Sequence, residues 1–257
     1  MANYSTTAQS QLLHMTQSDL FGMDNRKEAS AQTILKEYTI PHFRAKDPIS
    51  ALTHFIGFLA AILAMPVLLV HAAQYGRSEG DLISLSIFML SMVFLYGASA
   101  SYHTFQLSDR ANKGLKKIDH SMIFILIAGS YTPVCTMVLP ETTGKRILFT
   151  VWGIALIGII FKLCWVTCPK WVSSVIYIGM GWVCILAFGE IYRGMPTTSF
   201  LWLLIGGIIY TVGGVIYALK LPLLEKYFEG FGAHELFHLF VMGGSFCHFL
   251  AIYSFLK

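Results

Sequence analysis

The chain has 257 residues and a formal net charge of +4, with 55% hydrophobic and only 12% charged residues. Ordinary soluble domains carry about 25% charged residues, so this composition argues against a soluble globular protein. The apolar residues fall in long blocks, which favours an integral membrane protein.

The first segment, residues 1–45, is polar and is predicted to be a cytoplasmic N-terminal tail that is partly disordered. It has no apolar core of the length found in a cleaved signal peptide, so we expect the first transmembrane helix to direct insertion. The remaining residues, 46–257, are predicted to form one transmembrane domain.

Seven stretches without Asp, Glu, Lys or Arg follow the tail, and each is predicted to be a transmembrane helix. About 20 apolar residues are needed to cross a hydrocarbon core of about 30 Å. The fourth stretch is shorter, but Arg146 and Lys162 flank it with long side chains that can snorkel to the headgroups. The stretches cover residues 48–76, 82–108, 120–140, 147–161, 171–189, 194–219 and 236–256. The predicted fold is therefore an all-α bundle of seven transmembrane helices.

The distribution of Lys and Arg predicts a cytoplasmic N-terminus and a C-terminus outside. Thirteen of these residues lie on the side of the N-terminus and five on the opposite side, and cytoplasmic loops are the ones enriched in positive charge. The basic balance reports topology and contact with anionic lipid, so no nucleic-acid partner is expected.

Ionisable residues inside a bilayer are costly and mark candidate functional sites. In the predicted topology, the second helix ends and the third and seventh begin on the cytoplasmic side, so His103, Asp119, His234 and His238 converge on one level. His234 and His238 are four residues apart and share a helix face, where two imidazoles can bind one metal ion. His103 as a third ligand leaves one position open, as in catalytic zinc sites.

Two further residues are candidates for the same site. Ser99 lies four residues before His103 on the same face, and Asp119 is placed to hydrogen-bond a metal-bound water or a ligand imidazole. Single histidines within a membrane are more often hydrogen-bonded packing residues, and we give that interpretation to His54, His120 and His248, although His54 lies near the right depth.

Residues 234–238 also match the H-E-x-x-H pattern of metalloproteases, in which the glutamate is the general base. Such enzymes need a third ligand, commonly a carboxylate on a later helix. No Asp or Glu follows Glu235, so we disfavour an intramembrane protease.

Taken in order, several motifs resemble the hemolysin III branch of the progestin and adipoQ receptor family. The resemblance covers about residues 46–257, and the set is more specific than any single motif. The motifs are Pro48–His54, Ser99-x-x-x-His103, Ile118–Ser121, Gly129–Pro133 and His234-x-x-x-His238.

This resemblance implies a seven-helix bundle with a cytoplasmic N-terminus. It also implies zinc bound by His103, His234 and His238, with Asp119 contacting the metal-bound water and Ser99 close by. Relatives include adiponectin receptors and, more distantly, alkaline ceramidases, which hydrolyse lipid amides. Glu235, between two of the histidines, departs from the family pattern and its role is open. A compact chain of this type suggests a multi-pass protein of a plasma membrane, specifically a bacterial inner membrane.

The leading hypothesis is a zinc-dependent hydrolase of lipid amide or ester bonds, with a lipid substrate or ligand in the bilayer as its partner. Asp119 would orient the water or accept its proton, and Ser99 would donate to the developing oxyanion. One alternative is a seven-helix receptor or sensor of membrane state with structural zinc. A second is a hemolysin-like protein that perturbs membranes, which is weaker because the helices suggest no charged pore lining.

Overall fold

The computed structural model describes residues 45–221 and 231–257, so the predicted tail lies, except for its last residue, outside the described residues. Seven helices in the described part are long and apolar enough to cross a membrane. They are α1 (Pro48–Gln74), α2 (Glu79–Thr104), α3 (Asp109–Val138), α4 (Glu141–Cys164), α5 (Lys170–Gly194), α6 (Thr197–Leu219) and α7 (Ala233–Phe255). The prediction of a seven-helix, multi-pass membrane protein is confirmed, and the orientation of its termini stays a prediction.

Five helices, α2 to α5 and α7, begin before their charge-free stretches, most clearly α3 and α4. The helix α3 begins at Asp109, eleven residues before its charge-free stretch at residue 120. Ser108 accepts a hydrogen bond from the backbone N–H of Ala111 there and caps the helix. Charged residues are tolerated at helix ends, where side chains reach the headgroups, so a charge-free stretch marks only the hydrocarbon-crossing part.

Lys162 lies in the last turn of α4, and the prediction that it snorkels to the headgroups is wrong. Its side chain is only 1% exposed, and Nζ lies 2.5 Å from Oγ of Ser173 and 3.1 Å from Sγ of Cys168. The helix has 24 residues, so its length suffices to cross the membrane without that help.

Two helices contain irregular turns, and a tyrosine of one of them holds the irregular backbone of the other. Immediately after Pro133, which has no backbone N–H, α3 ends in a π-helical turn. The helix α5 passes through a 3-10 stretch at Trp182–Ala187. The Tyr131 hydroxyl donates to the carbonyl oxygen of Gly181 at 2.6 Å and accepts from the N–H of Cys184 at 2.9 Å. Because lipid supplies no hydrogen bonds, such irregular backbone needs a protein partner.

The helices are arranged as a closed series, since successive helices pack together and α7 packs back against α1. Close approach of α6 and α7 depends on glycine: a Cβ at Gly206 would lie 2.4 Å from the His248 ring, and one at Gly213 would lie 2.5 Å from Cβ of Phe240. The return of α7 to α1 brings the first turns of α7 beside the start of α1 and the end of α2. We call this end of the bundle the histidine end.

Candidate metal centre

Three histidines meet at the histidine end, as the sequence predicts. His103 lies in the last turn of α2, and His234 and His238 lie in the first two turns of α7. One ring nitrogen from each residue lies within 4.8 Å of the others. Tetrahedral zinc with bonds of about 2.0–2.1 Å holds its ligand nitrogens about 3.4 Å apart. The three side chains can therefore hold one metal ion after small rotations.

The contact between His103 and His234 is direct. Their Nε2 atoms lie 3.1 Å apart, a distance at which two imidazoles can share one proton or coordinate one cation. On the other side of the His103 ring, Nδ1 lies 2.9 Å from a carboxylate oxygen of Asp47. A carboxylate behind a histidine fixes its ring and makes it a better ligand, a common feature of metal sites.

A hydroxyl plays the corresponding part for His238. Oγ1 of Thr53 lies 3.3 Å from Nδ1 of His238 and donates its own proton to the carbonyl oxygen of Ser50. The hydroxyl can therefore accept a hydrogen bond from Nδ1–H of His238, which leaves the lone pair of Nε2 available to a metal ion.

His54 stacks on His238, with ring centroids 3.6 Å apart and an angle of 7° between the rings. Neither nitrogen of the His54 ring has a hydrogen-bond partner in the described part of the chain. The packing expected of His54 is present, and its hydrogen bonding stays a prediction. His54 lies against one face of the His238 ring and restricts its rotation.

The other two predicted site residues, Asp119 and Ser99, line a cavity beside the histidines. Asp119 is 6% exposed and Ser99 is 1% exposed. A carboxylate oxygen of Asp119 lies 3.4 Å from Nδ1 of the adjacent His120. Oγ of Ser99 has no hydrogen-bond partner among the described residues, so its hydroxyl is available to a ligand in the cavity.

This cavity, which we call the main cavity because it lies beside the histidines, has a volume of about 180 Å³ and a largely apolar lining. His234 and His238 line its polar end with Asp119, and His248 lines it farther along α7. The 14 residues from His234 to His248 correspond to about 21 Å of helix. This distance is longer than half the thickness of a hydrocarbon core, which is about 15 Å. His248 therefore lies too far along the helix to join the histidine cluster.

Backbone contacts explain how Asp47 reaches His103. The N–H of Asp47 donates to the carbonyl oxygen of His103 at 2.9 Å, and the N–H of Lys46 donates to that of Thr104 at 3.2 Å. These bonds attach the segment before α1 to the end of α2. Partial burial lowers the pKa of Lys46, although the neighbouring Asp47 acts in the opposite direction.

Glu235 is held by hydrogen bonds to both of its carboxylate oxygens. Ser50 donates to Oε1 at 2.6 Å, and the N–H of Gly232 donates to Oε2 at 2.9 Å. The glutamate therefore caps α7 and ties it to α1, which disfavours the general-base role of the H-E-x-x-H pattern. The sequence analysis did not identify Asp47 and Thr53 as site residues. Both lie next to the polar start of the first helix, at the depth in the membrane that is predicted for His103.

Comparisons with known proteins agree with this architecture. The sequence model of a family described as "Haemolysin-III related" matches residues 43–249. The chain is 38% identical over 213 residues to "Hemolysin-3 homolog" of Bacillus subtilis (strain 168), covering 82% of this chain and 94% of that protein. It is 34% identical over 211 residues to "Hemolysin-3" of Bacillus cereus, covering 82% and 91%. It is 23% identical over 218 residues to "Adiponectin receptor protein" of Drosophila melanogaster, covering 78% and 48%.

Proposed function

The chain belongs to the hemolysin III family, within the wider progestin and adipoQ receptor family. From this premise we propose that it is a zinc-dependent hydrolase of lipid amides or esters. The observation that supports this most strongly is that a three-histidine cluster lies at the polar end of a long apolar cavity. Three imidazoles with an open position are one of the ligand sets of catalytic zinc, and imidazole ligands favour zinc over the hard cations magnesium and calcium.

The substrate class follows from the main cavity. Its apolar walls suit an acyl chain, and its extent of about 21 Å along α7 is sufficient for one. With an acyl chain between these walls, the amide or ester carbonyl at the head of the lipid lies at the polar end of the cavity, near Asp119 and Ser99.

The residues of the chain then have separate roles in hydrolysis. When bound, the metal ion supplies Lewis-acid polarisation of the carbonyl and activation of a water molecule. Asp119 accepts the proton that the attacking water loses and returns it to the leaving amine or alcohol. Ser99 donates its free hydroxyl proton as a hydrogen bond to the carbonyl oxygen, where negative charge develops. Asp47, Thr53 and His54 hold two of the ligand rings in place.

The test combines metal content with turnover. Protein purified in detergent is assayed by elemental analysis and against a panel of lipid amides and esters. We expect about one zinc per chain; Asp119→Asn should retain the metal and lose turnover by about 10²-fold to 10⁴-fold. His238→Ala should lose both. The control is His71→Phe, which removes a histidine elsewhere on α1 that stacks on Tyr253; it should keep both the metal and turnover. Full activity in Asp119→Asn would contradict the role of Asp119 as the group that transfers the proton.

One observation favours a second candidate, a sensor of membrane state with structural zinc. The cluster joins α2 to α7, and its positioning contacts come from α1 and the segment before it. A bound metal ion would thus tie three parts of the bundle together. If the protein is such a sensor, its stability should depend on the metal ion, and no product should form from any lipid. The Asp119→Asn variant should then match wild type both in metal-dependent stability and in the absence of turnover.

A further inference from the structure

A second cavity of about 340 Å³ lies at the histidine end, between the start of α3, the α4–α5 connection and the C-terminal end of α6. His120, Ser173 and Tyr217 line both this cavity and the main one. Its lining is strongly basic, and among its described lining residues none is acidic. The basic residues are Lys116, His120, Lys162, Lys170 and Lys220.

Lys162 is the most informative of these residues, because its side chain is almost fully buried. The hydrogen-bond partners of Nζ are a serine hydroxyl and a cysteine thiol. No carboxylate forms an ion pair with it within residues 45–221 and 231–257. A buried ammonium group is costly without an opposite charge, so an anion in the cavity would stabilise this arrangement.

Other features of the lining also favour an anion. The helix α5 begins at Lys170 with no side-chain cap, and the partial positive charge of a helix N-terminus attracts anions. Nζ of Lys170 lies 4.3 Å from the centre of the Tyr217 ring. Lys220 has a left-handed backbone, with φ 51° and ψ 44°, where glycine or asparagine is usual at a helix end. A lysine in that position has no conformational advantage, which is consistent with a role for its charge.

We propose that this basic cavity binds the phosphate group of an anionic phospholipid. Lysine ammonium groups bind phosphate as point charges, and basic cavities between transmembrane helices hold anionic headgroups. Trp171 lines the cavity and is 60% exposed; exposed tryptophans are typical of the headgroup level of a bilayer. A lipid whose tail lies beside this residue can place its phosphate among the lysines. The binding needs neither the metal ion nor turnover, so it goes beyond the proposed function.

The test is native mass spectrometry of the full chain in a neutral detergent, titrated with dihexanoyl phosphatidylglycerol. Dihexanoyl phosphatidylcholine and inorganic phosphate are titrated in parallel. We expect phosphatidylglycerol to bind at least tenfold more tightly than either, and equally well after treatment with a metal chelator. A lysine close to an anionic surface contributes about a fivefold factor in affinity, so Lys116→Gln combined with Lys220→Gln should weaken binding by at least about tenfold.

The matched control is Lys113→Gln combined with Lys117→Gln, which removes the same charge from α3 at the same end but from side chains outside the cavity lining. This variant should change the affinity by less than twofold. Equal weakening in the two variants would mean attraction by surface charge alone and would overturn the proposal. Binding of inorganic phosphate as tight as that of phosphatidylglycerol would overturn the assignment to a lipid.

Lys162→Met addresses the buried charge, since methionine has a similar length and no charge. A folded Lys162→Met protein should also bind phosphatidylglycerol at least about fivefold more weakly, and unchanged affinity would contradict the role of Lys162. If this variant does not fold, the two surface variants decide the question.

Discussion

Asp47 is half-exposed, and its only described contact with the metal centre is the hydrogen bond to Nδ1 of His103. The change Asp47→Asn replaces a charged acceptor by a neutral one, so the His103 ring is held less firmly in its orientation. Removing such a partner costs about 10-fold to 100-fold in metal affinity. The measurement is a competition titration with a chromogenic zinc chelator.

Asp109→Asn is the control for this prediction, because Asp109 begins α3 at the same end of the bundle and is exposed. It should leave the zinc affinity within about twofold. If Asp47→Asn bound zinc as tightly as wild type, the hydrogen bond between Asp47 and His103 would not help His103 to bind the metal ion.

Helix packing at Gly158 gives a prediction at the scale of an element. A Cβ there would lie 2.2 Å from the Phe124 ring of α3, whereas a Cβ at Gly153, on the same helix α4, would meet nothing within 4 Å. Gly158→Ala should therefore destabilise the protein by about 1–3 kcal/mol. Gly153→Ala should be neutral or stabilise it by up to about 1 kcal/mol, because alanine favours a helix. Thermal denaturation in detergent would compare the two, and equal midpoints would contradict the close packing of α3 and α4.

The irregular turns of α5 give a second prediction at this scale. Tyr131→Phe leaves the carbonyl oxygen of Gly181 and the N–H of Cys184 without the hydroxyl that both contact. A buried polar group without a partner costs about 1–3 kcal/mol, so the thermal midpoint should fall. Tyr192→Phe removes a hydroxyl from a side chain that is 53% exposed and should change the midpoint little.

The element scale also separates what the sequence could predict from what it could not. Seven helices follow from apolar length, and the pairing of His234 with His238 follows from helical spacing. The partners Asp47 and Thr53 depend on backbone hydrogen bonds before α1 and on the packing of α7 against α1. Neither contact is encoded in a local spacing pattern. The burial of Lys162 likewise depends on the path of the α4–α5 connection, whereas the sequence shows only a lysine at a helix end.

At the scale of the whole molecule, the proposed metal ion joins α2 to α7, which also meet deeper in the bundle where the Tyr96 hydroxyl donates to Ser245. A ligand that binds only the folded state stabilises it by about 2.7 kcal/mol at 100 times its Kd. Removing metal with a chelator should therefore lower the thermal midpoint. Added zinc should restore it in wild type and leave His238→Ala unchanged, and a midpoint indifferent to metal in wild type would contradict a bound ion.

The closure of α7 onto α1 has a consequence for the order of biosynthesis. His54 and His238, whose rings stack, are separated by nearly the whole transmembrane domain, so the ribosome completes one long before the other. At about 5–20 residues per second, the interval is roughly 10–40 s. For the later part of that time His103 has been made but lacks its partners on α7. The three proposed metal ligands can meet only after the last helix has been inserted.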